Sequence, residues 1–341
     1  MKKNNYKHKV AVVGARFGAL TVENKILNPI GCKIVEGLGK TESELIKLCD
    51  GADAVIVGSI CDLTEPVINS LNNCQIISRA GVGTDNIDKR TAKKMGIIVT
   101  YVPDYCIDEV SDHAMSFILY YARKLQEAKE EVLSGNWGIS NLRPIYPLKE
   151  SILGILGIGR IGASLAKKAS TFGMKLIAFD PFADDSVFKK LKAQKVTLQQ
   201  LLKKSDYLSL HAPYTKKTKE IIQKKTLSLM NKNAVIINVA RGELINETDL
   251  YSSLKKGSIR AAALDVLPEE PPNPTHPLFT ALKSGEAWTI GRVIVTPHVA
   301  WYSPDGAHDA RKKAAQTIIN FLTNGILRGY ILKGKKHKFE E

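Results

Sequence analysis

The chain has 341 residues, 44% of them hydrophobic, with a formal net charge of +15; it is long enough for two domains whose cores need no disulfide or metal staples. No apolar run reaches the ~18 residues of a membrane span, and MKKNNYKHKV lacks the apolar core of a secretory signal. The five cysteines (Cys32, Cys49, Cys61, Cys74, Cys106) all fall in the first third and form no CxxC pair. That scatter points to reduced, buried thiols in a cytoplasmic protein, and away from a disulfide framework or a metal site.

The positive charge invites a nucleic-acid reading. Lysine dominates over arginine, however, and is spread along the chain, with dense runs only in MKKNNYKHK and KGKKHK near the ends. Such a solvated surface would attract a small anion and argues against a nucleic-acid partner.

The first apolar run, KVAVVGARFGAL, enters a glycine turn, but Gly14 and Gly18 stand four apart without the paired glycine of a dinucleotide loop. The runs CKIVEGL, ADAVIVGS, CQIISRAGVG and GIIVTYVP follow, separated by helix-compatible TESELIKLC and TEPVINSLNN. Strands alternating with helices predict a parallel sheet with crossover helices, so residues 1–104 read as one doubly wound unit. DEVSDHAMSFILYYARKLQEAKEEVLSG reads as the longest helix and a connector. Ala114, Phe117, Ile118, Tyr121 and Leu125 lie on one face, and Gly135 is its stop.

SILGILGIGRIGASLAKKASTFGMKLIAFDPF carries a stronger signal. A strand runs into Gly157-Ile158-Gly159-Arg160-Ile161-Gly162, and a helix, a second strand and Asp180 follow. Gly157 permits the tight turn, Gly159 lets backbone approach a pyrophosphate, and Gly162 allows the helix to pack closely. Arg160 and Ile161 open the helix, where free N–H groups and the positive dipole end favour phosphate. Asp180 is placed to accept from ribose hydroxyls, and the following PFADD supplies no cation for a 2′-phosphate. The expected cofactor is therefore NAD, not NADP.

YLSLHAP, AVIINVARG, IRAAALDV and RVIVTPH add strands, each ending in a polar cluster: His211, Arg241, Asp265 with Glu269 and Glu270, and His298. Parallel sheets bind ligands beyond the carboxyl ends of their strands, so these residues are expected at one crevice.

Six stretches together resemble the D-isomer-specific 2-hydroxyacid dehydrogenases: RAGVGTDNID, LGILGIGRIG, LHAPYTKKTKEII, NAVIINVARGELINETDL, AALDVLPEEPP and TPHVAWYS. The resemblance implies an α/β fold of two doubly wound parallel-sheet domains with a cleft between them. A flavodoxin-like substrate domain would span 1–104 plus 302–341, and a Rossmann NAD-binding domain 105–301, with hinges near 104–106 and 299–303. It implies that His298 is the acid/base, that Glu270 pairs with it and favours its protonated form, and that Arg241 binds the substrate carboxylate. A planar guanidinium suits that task better than an ammonium. Backbone amides of Gly81, Val82 and Gly83 would also hold the carboxylate, braced by Asn86 and Asp88, with Ser59 nearby. Asp265 would contact the nicotinamide carboxamide, and Ala240 and His211 would line the ring. His8, His113, His276, His308 and His337 receive no role.

Two features depart from the common pattern. The Trp-Tyr-Ser after His298 is similar to the C-terminal-binding-protein branch of NAD-linked co-regulators, where the tryptophan lines the pocket; Trp301 is expected to do so here. Residues 273–293 form a link longer than usual. The chain's end at Glu341 is expected to exclude the regulatory domains of many phosphoglycerate dehydrogenases. The leading expectation is an NAD-dependent reductase of a small 2-keto acid such as glyoxylate, hydroxypyruvate or a phosphoglycerate-like acid. It would be a homodimer through its cofactor domains, with 107–134 contributing and no metal. The alternative is a C-terminal-binding-protein-like dimeric scaffold with weak activity.

Overall fold

The computed structural model describes residues 6–15 and 18–327. Arg16 and Phe17 of the first glycine turn, His337 and the KGKKHK run lie outside the described residues. The chain divides into two compact units, one of residues up to Tyr105 together with those from Ser303 onward, the other Cys106–Tyr302.

The first unit holds five parallel strands, β1 (His8–Val13), β2 (Cys32–Gly37), β3 (Ala54–Val57), β4 (Ile76–Arg79) and β5 (Ile98–Tyr101). Their order is β2-β1-β3-β4-β5, the flavodoxin-like arrangement. All four β3 residues are buried, as expected of a strand covered on both faces. The helix Pro304–Asn324 starts where the Ser303 hydroxyl caps the Gly306 N–H at 2.8 Å and stops at Gly325 in the left-handed region. It brings Ala314, Ile318 and Phe321 into one core with Val10, Ile56 and Ile76. Its Arg311 makes a buried paired hydrogen bond to Glu23; losing one partner would strand a charge. The five cysteines are free and buried, four of them in this unit and Cys106 in the other. Gly14 is packed against Cys61.

The second unit holds seven parallel strands, β6 (Ile152–Leu156), β7 (Lys175–Phe179), β8 (Gln194–Lys195), β9 (Tyr207–Leu210), β10 (Val235–Asn238), β11 (Ala261–Leu264) and β12 (Val293–Val295). The order β12-β11-β10-β9-β6-β7-β8 is that of a Rossmann sheet with a seventh strand added. The chain reverses direction across the sheet between β6 and β9, where such sheets take their ligand. Leu153, Ile155, Leu208 and Ile236 are fully buried at its centre. Truncating one to alanine costs about 2–5 kcal/mol in a core of this kind.

Two expectations need correction. The connector is two helices, Ile107–Ala122 and Leu125–Leu133, broken at Lys124, whose φ is +51°. The Lys124 ammonium donates to the Leu142 carbonyl at 2.9 Å, a long-range bond that accompanies the break. The longest helix is instead Pro304–Asn324, at 21 residues. Residues 273–293 contain the helix Pro277–Lys283 and a 3₁₀ turn, Ala287–Thr289. There Trp288 Nε1 donates to Glu286 Oε2 at 2.6 Å. Among the described residues no helix is long and apolar enough to cross a membrane.

Candidate active site

The glycine loop 157–162 follows from β6. Gly157 has φ +91°, a conformation that L side chains rarely adopt. A Cβ on Gly162 would lie 2.3 Å from the Gly157 carbonyl oxygen, whereas one on Gly159 would meet nothing within 4 Å. The two outer glycines are therefore required by the protein, while the middle one faces space where a diphosphate can approach. Gly159 caps the helix Arg160–Thr171 without a side-chain bond, so the first N–H groups, at Arg160 and Ile161, remain available to an anion. Asp180, just beyond β7, accepts from Ile158 N at 3.0 Å through Oδ2 and from Phe182 N at 2.9 Å through Oδ1. Its carboxylate thus ties the second strand to the glycine turn and keeps lone pairs for a ribose diol. These residues fit an NAD cofactor.

Beyond β9, His211 Nε2 lies 2.8 Å from Ser209 Oγ. Burial pushes the His211 imidazole down to about 4, so it is neutral near pH 7. Beyond β10, Asn238 folds the turn by donating to the Arg241 carbonyl at 2.8 Å and accepting from Ala240 N at 3.1 Å. Arg241 Nη1 donates to the Ala240 carbonyl at 2.6 Å.

Asp265, beyond β11, is 1% exposed. Its Oδ1 accepts from Thr296 Oγ1 at 2.6 Å and Val299 N at 2.9 Å, and its Oδ2 accepts from Ala300 N at 2.9 Å. Its carbonyl accepts from His298 N at 2.8 Å. Asp265 therefore organises the whole 296–300 loop, a role the sequence did not disclose. On that loop His298 adopts φ +52°. Its Nδ1 lies 2.7 Å from Glu270 Oε2, while Glu270 Oε1 accepts from Leu267 N at 2.9 Å. Burial pushes the Glu270 carboxyl up, but the His298 and Leu267 hydrogen bonds and the Arg241 charge outweigh it and leave its pKa below the ordinary carboxylate range. Arg241, Glu270 and His298 are thus one electrostatic group, whereas Glu269 lines a separate small pocket with Glu247 and His276. Trp301 stands edge-on to Tyr302, ring centroids 5.5 Å apart.

In the first unit, Ser59 is exposed just past β3, and Gly81, Val82 and Gly83 follow β4. A Cβ on Gly81 would lie 2.6 Å from Arg79 Nη1, so a side chain here would have to displace the guanidinium beneath this turn. Asn86 Nδ2 donates to the Gly58 and Cys61 carbonyls at 3.0 and 2.8 Å. Asp88 caps the next helix through Arg90 N and Thr91 N. Asn86 thus braces the loop that carries Ser59, whereas Asp88 holds the start of the next helix. His276 also gains a structural role, capping the helix Pro277–Lys283.

Residues 115–300 match the D-isomer specific 2-hydroxyacid dehydrogenase, NAD binding domain. A D-3-phosphoglycerate dehydrogenase of Methanocaldococcus jannaschii is 38% identical over 306 residues, which cover 89% of this chain and 55% of that protein. A hydroxypyruvate reductase of Thermotoga maritima is 36% identical over 258 residues, 76% of this chain and 81% of that one. The chain spans about half the length of the phosphoglycerate dehydrogenases it matches. Among solved structures, a D-lactate dehydrogenase of Aquifex aeolicus complexed with NAD and lactic acid aligns with TM-score 0.80 at 28% identity, covering 92% of this chain and 95% of that one. The chain belongs to the D-isomer-specific 2-hydroxyacid dehydrogenase family, and its second unit is that family's NAD-binding domain.

Proposed function

We propose that this protein is an NAD-dependent dehydrogenase that interconverts a small D-2-hydroxy acid and its 2-keto acid, with hydroxypyruvate and glyoxylate as the first candidates and phosphohydroxypyruvate as the third. The observation that carries this reading is the 2.7 Å bond between His298 Nδ1 and Glu270. With Nδ1 tied, Nε2 is the ring nitrogen left to pass a proton to a carbonyl oxygen, a task suited to imidazole. Arg241 would bind the substrate carboxylate and polarise the keto group. The amides of Gly81, Val82 and Gly83, with Ser59, would help hold the carboxylate, and Trp301 would supply an apolar wall. Gly157 to Gly162 and Asp180 would hold the pyrophosphate and ribose, with Ala240, His211 and Asp265 beside the nicotinamide. NAD supplies or accepts the hydride when bound.

The relatives that match are named for catalysis, dehydrogenases and reductases, which favours the enzyme over the scaffold reading. A cytoplasmic homodimer fits this role, joined through the second unit, where Leu125, Val132 and Leu133 are exposed. The test is NADH oxidation with a panel of 2-keto acids. Turnover of at least one of them is expected, and none turned over by a protein that binds NADH would refute the reading.

A further inference from the structure

One polar side chain in the second unit has no part in the chemistry above, yet it touches the group that holds His298. His113 Nε2 lies 3.2 Å from Thr296 Oγ1 and 3.7 Å from Asp265 Oδ1. The Thr296 hydroxyl has a single proton, committed to Asp265 at 2.6 Å; Thr296 must therefore accept from His113, which makes Nε2–H the donor. Donation runs from His113 to Thr296 to Asp265, and each bond in such a chain polarises the next. At its far end, Asp265 receives Val299 N and Ala300 N, and its own carbonyl receives His298 N.

The placement follows from helix and strand geometry. His113, Phe117 and Tyr121 are four apart and share one face of the helix Ile107–Ala122. Tyr121 donates to the Ala262 carbonyl at 2.6 Å at one end of β11, and His113 reaches Asp265 at the other. Eight helical residues rise about 12 Å, and the three steps from Ala262 to Asp265 span about 10 Å of strand, so one helix face serves both ends. The Phe117 ring stands edge-on to the imidazole, centroids 4.5 Å apart and planes at 81°, which fixes its tilt.

We infer that His113 is a positioning residue: through Thr296 and Asp265 it holds the 296–300 loop so that His298 keeps its left-handed backbone and its bond to Glu270. This rests on the proposed role of His298 as acid/base. A left-handed non-glycine backbone is costly and persists where the surroundings over-determine it, and the donor chain adds to that constraint.

The test compares His113→Leu with His113→Gln, whose amide N–H can occupy the place of Nε2–H. His113→Leu is expected to lower kcat about tenfold or more, the cost of one lost polar bond, with KM for the keto acid within about twofold. His113→Gln should recover kcat to within about threefold. Thr296→Val should lower kcat at least as much as His113→Leu, because it removes the bond to Asp265 as well as the acceptor of His113. The low-field NMR signal of the His298–Glu270 proton, assigned by its absence in His298→Gln, gives a readout without turnover. It should broaden or shift in His113→Leu and persist in His113→Gln. Should no keto acid be turned over, the function fails while this signal still decides the positioning claim. Equal loss in both variants at unchanged thermal stability, or an unaltered signal in His113→Leu, would overturn it.

Discussion

Nδ1 of His298 lies 2.7 Å from Oε2 of Glu270, and the other oxygen of that carboxylate is held by the Leu267 N–H at 2.9 Å. The glutamate is anchored on one side and orients the imidazole on the other, so the ring direction is set by two bonds from one side chain. Replacing Glu270 by glutamine keeps the shape and removes the charge. We expect kcat to fall by about 10- to 100-fold, the scale of one charge-assisted bond, with NADH affinity within about twofold; steady-state kinetics with cofactor titration checks this.

The glycine loop gives a test that separates folding from binding. Gly159→Ala adds a methyl group where no protein atom lies within 4 Å, whereas Gly162→Ala places one 2.3 Å from the Gly157 carbonyl oxygen. Gly159→Ala should therefore melt like the wild type and lose NADH affinity. Gly162→Ala should melt lower, since overpacking costs about 1–3 kcal/mol. Thermal melts with and without NADH report both effects.

Asp180 ties the second strand to the glycine turn, and in the proposed function it also holds the cofactor's ribose. Asp180→Ala removes the acceptor of Ile158 N and Phe182 N and the repulsion that a 2′-phosphate would meet. NADH affinity should fall about tenfold or more, and the preference for NADH over NADPH should shrink; fluorescence titration with the two cofactors measures the ratio.

His211 makes stability depend on pH. Its folded pKa is pushed down to about 4 from the ordinary 6.5, so between those values the unfolded chain binds more protons than the folded one. Stability therefore rises with pH through this window and is lost as pH falls from 6.5 toward 4. The loss between pH 7 and pH 5 is about 2 kcal/mol. Urea unfolding at these two pH values should show it in the wild type, and His211→Asn should remove that part of the difference.

Much of this architecture was readable from residue order. Alternating apolar runs and turns marked the strands, and the spacing of Gly157, Gly159 and Gly162 before Asp180 marked the nucleotide loop. What stayed hidden depends on distant partners. The break at Lys124 has no glycine or proline beside it and is accompanied by a bond to Leu142. The helix Pro277–Lys283 lies in a stretch broken by proline and glycine at both ends. His113 sits in an apolar helical stripe, and its partner Thr296 is 183 residues away, so nothing local separates it from a packed core histidine. Asp265 was visible as a strand-end acid, but its hold on the His298 loop needs the three-dimensional positions of Val299 and Ala300.

Proton transfer by His298 is the central step of the proposed reaction. Single-turnover NADH oxidation by the wild type and by His298→Gln, mixed with saturating hydroxypyruvate or glyoxylate, isolates that step. The expected result is rapid oxidation by the wild type and a rate lower by about 10²- to 10⁴-fold in the variant, with NADH binding unchanged. A variant that oxidises NADH at the wild-type rate would contradict the account.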